Sequence, residues 1–204
     1  KSCLFFINLS LIYFFLFSKD YKKIWILVFI FSFSIISFFI YTNKETKSRI
    51  IDHTIEQFDY QKNYNVEDPE VQKDKIFGIY VFSVQHTHHY LTAYKMFLDH
   101  KIFGVGVKNF RKYCDNEKYK ISDLSCSTHP HNFYFQILAE IGAAGFLLIL
   151  FVFCMFLYFS IKQFIFQIMK KPIFDDFQIA LLSGILIYLW PFSPNGNFFN
   201  NWLT

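Results

Sequence analysis

The chain has 204 residues; 53% are hydrophobic and 23% aromatic, with 30 Phe. Its 7 Gly and 5 Pro exclude collagen-like and Pro/Gly-rich disordered classes, and a net charge of +4 gives no case for nucleic-acid binding. Charged residues are only 18% and the apolar ones gather in long blocks, which points to a membrane protein.

Four blocks follow in chain order. Residues 3–17 carry no charge, nor do residues 24–42. Residues 133–161 are apolar apart from Gln136, Glu140 and a few hydroxyls, and the shorter block 177–192 ends in Trp190-Pro191-Phe192. A helical span needs about 20 residues, so the second and third blocks qualify, the first is cut short, and the fourth reads as a short tilted span or a broken helix. The chain opens Lys1-Ser2-Cys3 without Met, and no small-residue cleavage site follows Phe17. It therefore reads as a piece of a longer membrane protein, and the first block as a span rather than a leader.

Short basic loops set the orientation. Lys19, Lys22 and Lys23 separate the first two blocks; Lys162, Lys170 and Lys171 separate the last two. Both loops are predicted to be cytoplasmic, which places residues 43–132, nearly balanced in charge, outside. The expected architecture is all-α: a polytopic transmembrane bundle of about four spans with a large external, mostly helical loop. The divisions are 1–42 for two transmembrane helices, 43–132 for the periplasmic loop and 133–204 for the C-terminal helices.

Within the loop, the start is polar, with turn signals at Asn63, Asn65 and Asp68-Pro69, and reads as a surface helix plus linker. Residues 86–100 carry Tyr90, Tyr94, Phe97 and Leu98 at helical spacing, which predicts a helix on the membrane surface or against the spans. Gly104-Val105-Gly106 follows, then a second helical stretch from near Val107 with Lys108, Arg111 and Lys112. A glycine turn feeding a helix start can offer backbone N–H groups to a phosphate, with Lys108 and Arg111 adding charge; a plain turn with solvated lysines fits the same residues. Cys114 and Cys126 lie in this loop, where an oxidising compartment permits a disulfide worth about 3 kcal/mol; two free thiols are the other reading. Cys3 and Cys154, in the apolar blocks, read as small apolar fillers.

Ser127-Thr128-His129-Pro130-His131-Asn132 opens the third block. Pro130 suits a helix start. Asn132, Gln136 and Glu140 then fall at i, i+4 and i+8 on one face, with Glu140 about 12 Å along the axis. An ionisable group at that depth belongs against protein or a wet cavity, whether for chemistry or only to hold the bundle together. Histidines gather in two places, His86/His88/His89 and His129/His131. Imidazole is a common zinc ligand, but no Cys pair or His-Glu-x-x-His pattern accompanies it, so no metal is expected and a proton-handling His is the better reading.

Three segments together resemble the O-antigen ligase family: residues 104–111, the Ser-Thr-His-Pro-His-Asn run, and Gln136 to Phe146 with its Glu-x-Gly-x-x-Gly. That family also includes polysaccharide polymerases. Residues 191–202 resemble the start of the family's closing segment. The likeness covers residues 80–204 well and the first two spans only in hydropathy. There is a departure. Many members carry Arg near the start of the helix before the Gly-x-Gly turn, where this chain has His86, His88 and His89, with Lys95 and Lys101 the nearest cations. Either a His takes over a phosphate contact, or the donor is handled differently.

The resemblance implies glycan transfer from an undecaprenyl-pyrophosphate-linked donor to a sugar hydroxyl, on a lipid A core for a ligase or a lipid-linked glycan for a polymerase. It implies a multi-pass bacterial inner-membrane protein active on its periplasmic side, contacting membrane lipids and needing neither nucleotide nor metal. On this reading Arg111 stabilises the leaving pyrophosphate with Lys108, His131 acts on the acceptor hydroxyl, and Glu140 sets the helix start. Gly104, Gly106, His88, His89, His129, Asn132 and Gln136 are expected to bind substrate. All three leading residues are expected to face one outward-opening cavity. A transporter or flippase component is the competing class, fitting a buried Glu140 and the Pro-interrupted last block, but it leaves the large external loop unexplained. A purely structural membrane protein leaves that loop equally unexplained.

Overall fold

The computed structural model describes residues 2–19, 22–52, 55, 75–76, 79–80, 83–192 and 195–200. The turn signals at Asn63, Asn65 and Asp68-Pro69 lie outside them. The elements are α1 Ser2–Phe17, α2 Lys22–Thr42, α3 Lys44–Lys47, a π-helical turn Ser48–Asp52, strands β1 Lys75–Ile76 and β2 Ile79–Tyr80, α4 Val84–Asp99, α5 Phe110–Tyr113, α6 Phe133–Glu140, α7 Gly142–Ile168 and α8 Asp176–Leu189. Among the described residues the regular elements are helical but for the two short strands, which pair antiparallel with Ile76 opposite Ile79.

Among the described residues, two helices are long and apolar enough to cross a membrane: Lys23–Thr42, with mean hydropathy 2.5, and Gly142–Ile168, with 2.6. In lipid a helix keeps its backbone hydrogen bonds within itself, which is why these blocks are helical. Helices α1 and α8 are apolar but shorter. The 14 residues of α8 reach about 21 Å, short of a bilayer core of about 30 Å.

The chain divides into two compact units. One comprises Lys1–His53 and Phe151–Trp190. Here α1 packs on α2 and on α8. The hydroxyls of Tyr13 and Ser160 lie 2.7 Å apart, and Ser10 Oγ donates to Ser183 Oγ. Gln163, fully buried, holds the loop ends: its Oε1 accepts from the Ile173 and Phe174 amides and its Nε2 donates to the Phe17 carbonyl. Asp175 and Gln178 form a capping box at the start of α8, and the Lys19 amide donates to Asp176.

The other unit comprises Thr54–Leu150 and Pro191–Thr204. Helix α4 packs on α6, and α5 on α6. Its core gathers Ala93, Met96, Phe110, Cys114, Tyr119 and Ala139. The ring of Tyr90 stacks on Phe135, centroids 4.5 Å apart. Tyr94 and Leu98 are exposed within the protein. The face of α4 that is buried is His88, His89, Thr92, Ala93 and Met96, and α4 packs on α6.

Three local expectations are corrected. The apolar block 133–161 is not one helix: α6 ends at Glu140 and α7 begins at Gly142, whose φ is +75. Helix α6 begins after Asn132 rather than at Pro130, because Asn132 Oδ1 accepts from the Tyr134 and Phe135 amides as its N-cap. The stretch after the glycine turn is helical only over α5, and residues 114–132 are turns and irregular chain, so this described part of the loop is less helical than expected. A Cys114–Cys126 disulfide fastens that segment, with Cα atoms 5.1 Å apart. The Ser125 hydroxyl accepts from the Ile121 and Ser122 amides, and Asp99 accepts from Lys118 and the Tyr119 hydroxyl.

Candidate functional site

The break between α6 and α7 organises the site. In a continuous helix the Ala143 and Ala144 amides would donate to the Ala139 and Glu140 carbonyls. Here they donate to the Lys101 and Ile102 carbonyls, at 2.8 and 3.3 Å. The freed carbonyls of Ala139 and Glu140 accept from the Val105 and Gly106 amides, at 2.8 and 3.0 Å. Residues 101–106 thus take the place of one helical turn. Gly104 and Gly142 allow it. Both have positive φ, and a Cβ on Gly104 would lie 2.4 Å from the Glu140 carbonyl carbon.

This geometry revises the glycine reading. The Gly104, Val105 and Gly106 amides, the groups a phosphate would need, are all bonded within the protein. The first amide of α5 is taken as well: Phe110 N donates to Glu140 Oε1 at 3.0 Å. Glu140 is 1% exposed, and its other oxygen accepts from Gln136 Nε2, also at 3.0 Å. The carboxylate therefore joins α5, which carries Arg111, to α6. The side chains of Lys108 and Arg111 are exposed, and among the described residues neither makes a hydrogen bond or ion pair.

Asn132 and Gln136 are likewise engaged. Asn132 Nδ2 donates to the Pro191 carbonyl at 2.7 Å. Gln136 Nε2 also donates to Asn197 Oδ1, and its Oε1 accepts from the Phe198 amide. They clasp Pro191, Asn197 and Phe198 against α6. Asn197, a partner in this clasp, and Asn195, which bonds His129 and His131, carry no sequence signal beyond the Pro-Asn-Gly-Asn run.

The histidines, two clusters in sequence, form one in space. The ring of His131 lies 4.3 Å from that of His129, 5.3 Å from His89 and 5.5 Å from His86, centroid to centroid. His131 has φ +61, a left-handed conformation that costs about 1–2 kcal/mol outside glycine. The Asn195 amide holds its carbonyl at 2.7 Å. His129 is tautomerically fixed: Nε2 faces the Asn195 carbonyl at 3.0 Å and must donate, which leaves Nδ1 to accept from the Thr128 hydroxyl. The Ser127 hydroxyl donates to the His129 carbonyl. His88 Nδ1 bonds the Ser122 hydroxyl, and His86 Nδ1 bonds Ser83 at the N-cap of α4. His86 and His131 are part exposed, whereas His88 and His89 are buried.

Burial and mutual proximity favour the uncharged form of His86, His89 and His131. Burial, then the charges that neighbouring histidines would carry, lowers His131; burial alone lowers His86. Burial and its four histidine neighbours push His89 down to about 4. Among the described residues no group of three or more His, Cys, Asp or Glu is placed to hold a metal. The cluster can hydrogen-bond and accept protons; the cations Lys108 and Arg111 belong to the α5 side of the Glu140 link.

A family model described as O-antigen ligase matches residues 2–150. Neither a curated protein nor a solved structure matches this chain. The matched region takes in the glycine turn, the histidine cluster and the start of α7, and the chain belongs to the O-antigen ligase family, membrane proteins with a glycan-transfer role in polysaccharide assembly.

Proposed function

We propose that the protein transfers a glycan from an undecaprenyl-pyrophosphate carrier to a sugar hydroxyl, on a lipid A core or a lipid-linked glycan, at the periplasmic face of a bacterial inner membrane. Family membership carries this reading. The histidine cluster at the head of α6 supports it. In this scheme α1, α2, α7 and α8 are the four spans, and residues 43–132 lie outside. His131, part exposed and kept neutral, accepts the proton of the attacking hydroxyl. Arg111 and Lys108, free to meet an anion, stabilise the pyrophosphate as it leaves. Glu140 is a positioning residue: it fixes the start of α5, and with it Arg111, relative to α6. Asn132 and Gln136 act through the clasp on Pro191, Asn197 and Phe198 rather than on substrate.

The test is glycan transfer by the protein in its full-length context, with membrane abundance measured in parallel. His131→Ala is expected to reduce transfer by about 10²–10⁴-fold at normal abundance. Arg111→Ala is expected to do so strongly, also without loss of protein. Wild-type transfer by His131→Ala would remove the proton-transfer role. Topology is tested separately. A Cys at position 63 should react with an impermeant thiol reagent in intact spheroplasts, and reaction only after lysis would invert the orientation.

A further inference from the structure

We propose that His89 and Thr92 form a buried subsite for a neutral glycan hydroxyl, that of the acceptor, beside the part-exposed ring of His131. The assignment to the acceptor rests on the glycan-transfer reading; the chemistry of the subsite does not.

Three polar atoms carry the inference. His89 is 0% exposed, and neither of its ring nitrogens has a hydrogen-bond partner among the described residues. Thr92, also 0% exposed, has an equally unpartnered hydroxyl. Three residues apart on α4, they share one face of the helix. A buried polar group without a partner is costly, so three together are a standing demand for a ligand or ordered water. The ring of His131, 5.3 Å away, places this demand next to the group assigned to the acceptor proton.

The kind of ligand follows from the donors and acceptors. A neutral imidazole presents one N–H and one lone pair, and a hydroxyl presents both functions. Sugar hydroxyls, which donate and accept, match that set. An ionised phosphate only accepts. It would leave the imidazole lone pair facing oxygen unless His89 were protonated, and burial among four other histidines holds His89 down at about 4. The pyrophosphate is thereby directed away from this position and towards the exposed cations near α5. In the position where many family members carry Arg, this chain has His86, His88 and His89.

The experiment uses the full-length protein in lipid nanodiscs with isotope-labelled histidine. One probe is the host's acceptor glycan, stripped of lipid and phosphate; the others are inorganic pyrophosphate and zinc. The glycan should shift the His89 resonance, while pyrophosphate and zinc should leave it in place. His89→Leu and the smaller change Thr92→Val should each weaken glycan binding by about tenfold, as for one good hydrogen bond. His89→Asn, whose amide both donates and accepts, should recover part of it. In transfer assays the same variants should raise the acceptor KM and leave the donor KM unchanged. A shift with pyrophosphate or zinc, a shift with no probe, or a change confined to the donor KM would overturn the subsite. Glycan binding at His89 by a wild-type protein that transfers nothing would leave the subsite standing and sink the transfer reading instead.

Discussion

Gly104 and Gly142 are packed backbone to backbone: a Cβ on Gly142 would lie 2.6 Å from the Gly104 amide nitrogen and 2.5 Å from the Ile102 carbonyl oxygen. A Cβ contact that short essentially never occurs, and both residues hold a positive φ. Gly104→Ala and Gly142→Ala should each destabilise the protein by about 3 kcal/mol, from strain in the left-handed region and from overpacking. Thermal midpoints in detergent and membrane abundance should both fall. A normal midpoint for either variant would mean that the exchange of hydrogen bonds at the break is not tight.

Glu140 separates structure from chemistry. Glu140→Gln keeps an oxygen for the Phe110 amide but sets its own NH₂ against Gln136 Nε2, a loss of about 1–2 kcal/mol. Glu140→Ala strands both donors and should cost about 3 kcal/mol. If the residue only positions α5, transfer should fall in step with folded protein and recover partly in Glu140→Gln. Transfer lost more than about 100-fold in Glu140→Gln at full abundance and midpoint would make it a proton-transfer group instead.

Breaking the Cys114–Cys126 bond should loosen residues 114–126 and cost about 3 kcal/mol. Cys114 is 2% exposed within the core beside Phe110, so Cys114→Ser also buries a hydroxyl and should be the worse of the two single changes. Midpoints with and without reductant check this. Reductant should lower the wild-type midpoint and leave a double Ser variant unmoved.

Much of this was legible in the chain. The apolar runs gave α2 and most of α7, and the i, i+4, i+8 spacing put Gln136 and Glu140 on one face, where they hydrogen-bond. The break at Gly142 was not legible. Gly142, Ala143 and Gly145 read equally well as close helix packing, and only the carbonyls of Lys101 and Ile102 distinguish the two. The union of the two histidine groups was also invisible, because it depends on α4 packing on α6 rather than on local spacing. Thr92 carries no sequence signal at all; its significance lies in what fails to contact it.

Stability should depend on acid in one direction. His89 titrates at about 4 in the folded protein against 6.5 when unfolded, and His86 and His131 are lowered too. Between those two values the unfolded chain binds more protons, so stability rises with pH across the window. The contribution is complete above 6.5 and is lost as pH falls towards 4. The midpoint should therefore be lower at about pH 5 than at about pH 7.5, and His89→Asn should flatten the difference. A wild-type midpoint that rises on acidification would show that these rings are charged in the native state.

The exchange at the break also fixes an order of assembly. The first amides of α7 find their acceptors not in the preceding turn but in Lys101 and Ile102, far upstream in the chain. During synthesis those upstream residues emerge first and must wait, undocked, until α6 and the head of α7 follow. The long hydrophobic helix forms with its N-terminal turn incomplete, and that turn closes only when residues 101–106 dock against it. The first turn of this long apolar helix is thus completed by a segment about 40 residues upstream rather than by the helix itself.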